Sequence, residues 1–324
     1  MPTQELLVKN LKVAFSTAEK ELVAVRGISY QLNQGETLAL VGESGCGKTV
    51  SALSILRLIQ EPPGKIITGK IIFDGKDLLK LTKKELQDRR GRDIAMIFQD
   101  PMTSMNPVLT IGEQIIETLL RHTPLSRKEA QEKSFNLLEQ VDIPSPKQKL
   151  GQYPHQLSGG MRQRAMIAMA LSCSPRVLIA DEPTTALDVL MQAQILALLK
   201  QIKKDTQMSI LLITHDLGVV AEIAERVMVM YAGEIVESGS VYDLFRSPLH
   251  PYTVGLMKSI PVLEPTQQKI SRLNEIPGMV PSLSQVPSGC PFHPRCPSAE
   301  TRCQTDKPRL KETAHAHAVS CWLH

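Results

Sequence analysis

The run Gly42-Glu43-Ser44-Gly45-Cys46-Gly47-Lys48-Thr49 has the residue types and the spacing to hold a polyphosphate. Its glycines let the backbone curl until successive N–H groups converge on one anion, and a following helix adds the partial positive charge of its N-terminus. Lys48 can reach the β- and γ-phosphates, the Thr49 hydroxyl can ligate Mg²⁺, and Val50 carries the chain into the helix. Three more groups sit where apolar runs end. Val177–Ala180 delivers Asp181-Glu182: one carboxylate can hold Mg²⁺ through water, and its neighbour can polarise an attacking water. Ser209–Thr214 delivers His215, and Ile94–Phe98 delivers Gln99. A lone histidine is more often structural than catalytic, but the carboxyl edge of an α/β sheet is where ligands bind. Ser158-Gly159-Gly160, after Leu157, opens a helix as a second anion-ready N-terminus, with no lysine nearby. Together these residues point to a nucleoside triphosphate site.

The elements that must position them are short. Residues 36–41 form an apolar run of the kind buried in a parallel sheet, and 50–59 has the apolar spacing of a helix packed on it. Residues 6–15, 23–32 and 66–73 read as strands, the last ending at the turn Asp74-Gly75. From 111 to 141 the pattern is helical, with Ile115, Ile116, Leu119 and Leu120 expected on one face. Ser126 and Glu129 form a capping-box signature. This stretch reads as a mostly helical insertion between two halves of the sheet. Residues 157 to about 173 form the next helix, and 227–231 with 234–237 a terminal hairpin about Ala232-Gly233. Phe15, at the end of the first strand, is either a packed aromatic or a platform for a purine ring.

Composition bounds the rest. The 324 residues, 42% hydrophobic and 22% charged, suffice for a large α/β domain with an appendage. No apolar run reaches the ~18 residues that would span a bilayer. Met1 to Glu5 lacks the basic start and apolar stretch of a signal peptide, so the chain is expected in the cytosol, with membrane contact through a partner. A net charge of +4 is too modest to imply nucleic acid. The basic clusters 80–92 and 121–133 are interleaved with Glu85, Asp88, Glu129 and Glu132, as on a solvated helical surface.

Beyond residue 245 the texture changes, and nine of the 22 prolines fall between Pro261 and Pro308. Cys290, Cys296, Cys303 and Cys321 also lie there. Four thiolates suit tetrahedral Zn²⁺ or a [4Fe–4S] cluster. The wide spacing and the absence of C-x2-C knuckles lean towards the cluster. His293, His315 and His317 keep a mixed zinc site open, and uncommitted thiols are the third reading. A proline-rich tail without periodic apolar residues needs some staple. Cys46 needs only to be small, and Cys173 suits a buried helix position.

The set resembles the nucleotide-binding subunit of ABC transporters, in the family's order over residues 1 to about 240. Gly42–Thr49 looks like the Walker A loop, Gln99 the Q-loop glutamine and Leu157–Met161 the signature. Val177–Glu182 resembles Walker B, Thr185–Asp188 the D-loop and His215 the switch histidine. Met161 stands where glutamine is usual and Thr185 where serine is usual. The stretches 98–107, 153–164 and His250-Pro251-Tyr252-Thr253 resemble the dipeptide/oligopeptide importer branch, in which a C-terminal extension is a family feature.

The resemblance implies a P-loop NTPase fold of the α/β class: a RecA-like parallel sheet core, an antiparallel β subdomain, a helical subdomain at about 100–170, and a loop-rich cysteine module. It divides the chain into an ATP-binding domain, 1–250, and an extension, 251–324. It implies ATP with Mg²⁺ held by Thr49 and Gln99, and Asp181 behind them. Glu182 would be general base, His215 and Lys48 would contact the γ-phosphate, and Phe15 would stack on adenine. Ser158, Gly159 and Gly160 would complete the site of a second ATP-binding subunit, paralogue or self, with Asp188 at that contact. The implied partners are two integral membrane permease subunits, reached through 99–107, and an extracytoplasmic peptide-binding protein, at the cytoplasmic face of the inner membrane. A nickel or other small-solute importer is the alternative. Soluble relatives acting on nucleic acid fit less well, because the chain has one cassette and no heptad run, and a soluble relative in iron–sulfur assembly is suggested by the cysteines alone.

Overall fold

The apolar run before the phosphate loop folds as the strand Thr37–Val41, buried at every position. The same holds for Ile94–Ile97, Val177–Asp181 and Ser209–Thr214. Strands buried on both faces need continuous apolar sequence rather than alternation, and these have it. The computed structural model describes residues 3–18, 20–185, 187–259, 275–313 and 316–324. Ala186 of the D-loop, His315, Pro261 and Pro265 lie outside the described residues.

Two compact units emerge. One comprises the residues up to Leu6, Gln31–Thr37 and Ile72–Ile213. In it Ile94–Ile97 runs parallel to Val177–Asp181, in the register Ile94↔Val177 to Ile97↔Ala180. Val177–Asp181 in turn runs parallel to the strand from Ser209, with Asp181 opposite Ile213. The helical stretch forms Ile111–His122 and Arg127–Gln140, opened by capping boxes at Thr110/Glu113 and Ser126/Glu129. The expected apolar face needs correction. Ile111, Ile115 and Leu119 are fully buried at steps of four, whereas Leu120 is 38% exposed, because one further residue rotates it about 100° away. The helices Gly159–Leu171 and Val189–Thr206 complete this unit.

The other unit comprises Leu7–Tyr30, Leu38–Ile71 and Thr214–His324. The strand before the phosphate loop pairs in parallel with Arg226–Tyr231, Leu38 opposite Arg226 and Val41 opposite Val229. Arg226–Tyr231 forms the expected hairpin with Glu234–Ser240. Glu234–Ser240 then pairs antiparallel with Ala318–Val319, which pairs with Lys311–Glu312. Most of Glu21–Asn33, Gln4–Ser16 and Gly64–Phe73 also belongs here, side by side in that order. The helix after the phosphate loop is Lys48–Ile55, shorter than the 50–59 expected. It stops because Arg57 turns left-handed, at φ 49, ahead of Pro62-Pro63, which could donate no helical hydrogen bonds.

The core of this unit joins the strand to the chain's later residues. Ala39, Val41, Val229, Leu244 and the rings of Tyr231, Tyr252 and Phe292 pack as one cluster. Tyr231 lies 4.7 Å from Tyr252 and meets Phe292 edge-on at 5.2 Å, both favourable aromatic geometries. Among the described residues after 258, helices are single turns, His293–Arg295 and Arg302–Thr305. No helix among the described residues is long and apolar enough to cross a membrane.

Candidate functional site

Close packing explains the glycines of the phosphate loop. A Cβ on Gly42 would stand 2.2 Å from the Met230 carbonyl oxygen, and one on Gly47 2.5 Å from that of Ala24. Gly47 also has φ 103, a left-handed value that glycine adopts without strain. Between them Ser44 and Gly45 are exposed, as is Thr49 at the start of the helix. Cys46 is fully buried, and burial pushes its thiol up, so it fills space as a neutral group. Its carbonyl accepts from Gly233 N–H at 2.9 Å, which pins the loop to the hairpin turn.

Lys48 is 5% exposed, and its Nζ donates to the carbonyls of Gly42 at 2.7 Å and Glu43 at 3.1 Å. The ammonium is therefore held over the loop by acceptors on the loop itself. Glu43 has different partners: its N–H donates to Tyr252 Oη at 2.8 Å, and both carboxylate oxygens accept from Arg295, at 2.7 and 3.0 Å. Nothing in the spacing of the sequence marks Arg295. Tyr252 lies in a stretch singled out by resemblance, without a role. Phe15 is half-buried, its ring edge 3.0 Å from where a Gly64 Cβ would stand. His215 is exposed at the end of its strand, next to Asp216, which caps the following helix by accepting from Gly218 and Val219 N–H.

In the other unit, Asp181 is 2% exposed at the end of its strand. Glu182 takes a left-handed φ of 47, rare for a non-glycine residue and concentrated at functional sites. Its N–H donates to the Ile213 carbonyl at 2.8 Å. Its Oε2 accepts from Gln99 Nε2 at 2.9 Å and from Thr185 Oγ1 at 2.8 Å. The structure thus brings together Gln99 and Glu182, which lie far apart in sequence. Ser158 caps the helix Gly159–Leu171, accepting from Met161 N–H, with Leu157 buried and Gly159 exposed. A Cβ on Gly160 would meet Met191 at 2.7 Å. Asp188 is exposed and caps Val189–Thr206.

Cys290, Cys296, Cys303 and Cys321 line one small cavity with Phe292 and Trp322. Burial pushes the Cys290 thiol up to about 11, and raises Cys296 and Cys321 as well. Among the described residues, no group of three or more His, Cys, Asp or Glu side chains is placed to hold a metal ion.

A glycine loop of this geometry feeding a helix, with an Asp-Glu pair ending a buried parallel strand, defines a phosphate-loop nucleoside triphosphatase. Comparison with known proteins narrows the class. Residues 25–185 match the ABC transporter family, and 236–303 match the oligopeptide/dipeptide transporter C-terminal region. The chain is 52% identical over 318 residues to the dipeptide transport ATP-binding protein DppD of Bacillus subtilis, covering 98% of this chain and 94% of that one. It is 51% identical over 319 residues to the oligopeptide transport ATP-binding protein AppD of the same organism, covering 98% and 96%. Among solved structures, a dimeric post-hydrolysis state of the ATP-binding cassette MJ0796 bound to ADP and Pi matches with a TM-score of 0.66. It is 27% identical and covers 73% of this chain and 98% of that one. The chain belongs to the ATP-binding subunits of the oligopeptide/dipeptide ABC transporters, and is an ATPase with their α/β cassette fold.

Proposed function

We propose that this ATPase energises import of dipeptides or oligopeptides, with Glu182 as the general base of hydrolysis. The observation that carries the chemical part is the carboxylate of Glu182, fixed by Gln99 and Thr185 at the end of a buried strand. A base so held is aimed without a reorganisation step, and it can take a proton from the attacking water. The loop Gly42–Thr49 with Val50 would cradle the phosphates of ATP, with Lys48 on the β- and γ-phosphates. Thr49 and Gln99 would ligate Mg²⁺ and Asp181 would act behind them. Phe15 would stack on adenine, and His215 would steady the γ-phosphate. Leu157, Ser158, Gly159, Gly160 and Asp188 would serve a second ATP-binding subunit, paralogue or self.

An ATP-binding domain would span 1–250 and an extension 251–324; matches to 25–185 and 236–303 support that order of parts, the second match starting ahead of residue 250. Two membrane permease subunits and an extracytoplasmic peptide-binding protein would complete the transporter, with this subunit at the cytoplasmic face of the membrane.

The extension would hold a [4Fe–4S] cluster on Cys290, Cys296, Cys303 and Cys321. All four thiols line the same cavity, which fits a donor set of four cysteines. Such a cluster would serve as the staple that a proline-rich segment needs.

Two measurements test this reading on the full chain. Glu182→Gln should lower Mg-ATP hydrolysis by about 10²–10⁴-fold and leave nucleotide binding in place; hydrolysis at the original rate would remove Glu182 from the mechanism. Protein purified without oxygen should carry about four irons and a broad visible absorption band. One zinc without colour would replace the cluster with a structural zinc site.

A further inference from the structure

Glu43 is a carboxylate placed inside a loop built to receive a triphosphate, and bare it would repel that ligand. Its negative charge is met by one residue from far downstream, Arg295. The guanidinium grips it through both oxygens, Nη1 to Oε2 at 2.7 Å and Nη2 to Oε1 at 3.0 Å, the fork geometry that makes arginine–carboxylate pairs strong and directional. Arg295 is itself seated firmly. Its side chain is 5% exposed, its Nε donates to the Pro277 carbonyl at 2.9 Å, and its Nη2 donates to that of Ile276 at 3.4 Å. The guanidinium carbon lies 5.8 Å from the centre of the Tyr231 ring and 5.9 Å from that of Phe292.

The main chain of Glu43 is held from the same side. Its N–H goes to Tyr252 Oη, and the Tyr252 ring packs against Tyr231 and Phe292. Arg295 ends the single turn His293–Arg295, which lies between two of the cavity cysteines. His293 N–H donates to the Cys290 carbonyl at 3.0 Å, Arg295 N–H to that of Phe292 at 2.9 Å, and Cys296 N–H to that of His293 at 3.3 Å. Arg295 thus sits in a short hydrogen-bonded turn, flanked in sequence by Cys290 and Cys296.

We propose that Arg295 is a positioning residue for the phosphate loop: it draws the Glu43 carboxylate away from the phosphates, and so sets the affinity of the loop for nucleotide. The proposal rests on the ATPase reading of Gly42–Thr49. With Arg295 in place the loop meets the triphosphate with its own charge neutralised. Without it, a free carboxylate stands in the loop, and only the main chain of Glu43 stays held, by Tyr252 and Lys48.

The test is a double-mutant cycle on the full chain, reading both Mg-ATP turnover and titration with a fluorescent ATP analogue. Arg295→Gln should raise KM and Kd for nucleotide about tenfold, a loss in keeping with the removal of a charge-assisted pair. It should leave kcat within about twofold, because no group at the reacting atoms has changed. Arg295→Lys should restore part of the affinity. Glu43→Gln removes the charge that needs neutralising, so adding Arg295→Gln to it should change KM by less than about twofold. Lys307→Gln, which breaks an ion pair from the same segment to Glu234 (2.6 Å) without touching the loop, should leave KM unchanged. An unaltered KM in Arg295→Gln, additive effects in the double variant, or the same loss in Lys307→Gln would overturn the proposal. If the unsubstituted chain binds nucleotide but does not hydrolyse it, the catalytic reading fails while the titration still decides the role of Arg295.

Discussion

Acidification should weaken the fold through His250, and the size of the effect follows from where the ring sits. His250 is 1% exposed, caps the helix Pro251–Lys258, and accepts the Tyr252 N–H on Nδ1 at 3.1 Å. The main-chain N–H of His250 donates to the buried carboxylate of Glu237 at 2.8 Å, and its ring lies 5.7 Å from that of Phe292. Burial pushes its pKa down from 6.5 to about 4, and the charge on His324 acts in the same direction. A base depressed in the folded state contributes stability that is fully present above its unfolded pKa and fades as pH falls towards the folded one. The loss is about 2 kcal/mol at pH 5 and about 3 kcal/mol near pH 4. A protonated Nδ1 also cannot accept the Tyr252 N–H, so the cap is lost with the charge change. Urea unfolding of the full chain at pH 7 and pH 5 reads this directly, with His250→Asn as the comparison. Asparagine keeps the cap acceptor and does not titrate. The unsubstituted protein should lose about 2 kcal/mol more than the variant over that interval. Equal losses in the two proteins would refute the reasoning, because every other titrating group is common to both.

Two further substitutions probe the frame of the site. Gly42→Ala places a methyl group 2.2 Å from the Met230 carbonyl oxygen; neither strand nor loop can yield cheaply, so nucleotide affinity should fall at least about tenfold, seen by titration. Arg164→Ala removes a buried guanidinium that donates to the Val141 carbonyl and to Gln194 Oε1, both at 2.7 Å. It should cost about 2–4 kcal/mol in urea unfolding, with Arg164→Lys recovering only part.

The placement of the loop Gly42–Thr49 between a buried strand and a helix was legible in the sequence because the glycine run and the apolar run before it are contiguous. Asp181, Glu182, His215 and Gln99 were legible for a related reason, since each ends a continuous apolar run and a strand end is a position. What lay hidden depends on partners distant along the chain. The grip of Arg295 on Glu43 joins two ordinary charged residues, and neither lies in a periodic pattern. The burial of Glu237 against Leu249, His250 and His317 was equally invisible, because the partners that hold its carboxylate lie 12 to 80 residues away. The helix after the loop ended early, through a left-handed Arg57 that no propensity marks. Leu120 was placed on the wrong face because an apolar residue next to a buried row looks like part of it until the helix packs.

The pairing of Ala318–Val319 with Glu234–Ser240 also has a temporal meaning. Ribosomes release a chain from its N-terminus, so the hairpin Arg226–Ser240 and the phosphate loop emerge long before Ala318 does. Until then Glu234–Ser240 is an open sheet edge, the kind of edge that recruits strands from other molecules. A nascent chain that stalls late in synthesis would therefore carry a nearly finished nucleotide site beside a sticky, unsealed margin. Pairing with Ala318–Val319 therefore closes that margin only at the last stage of synthesis.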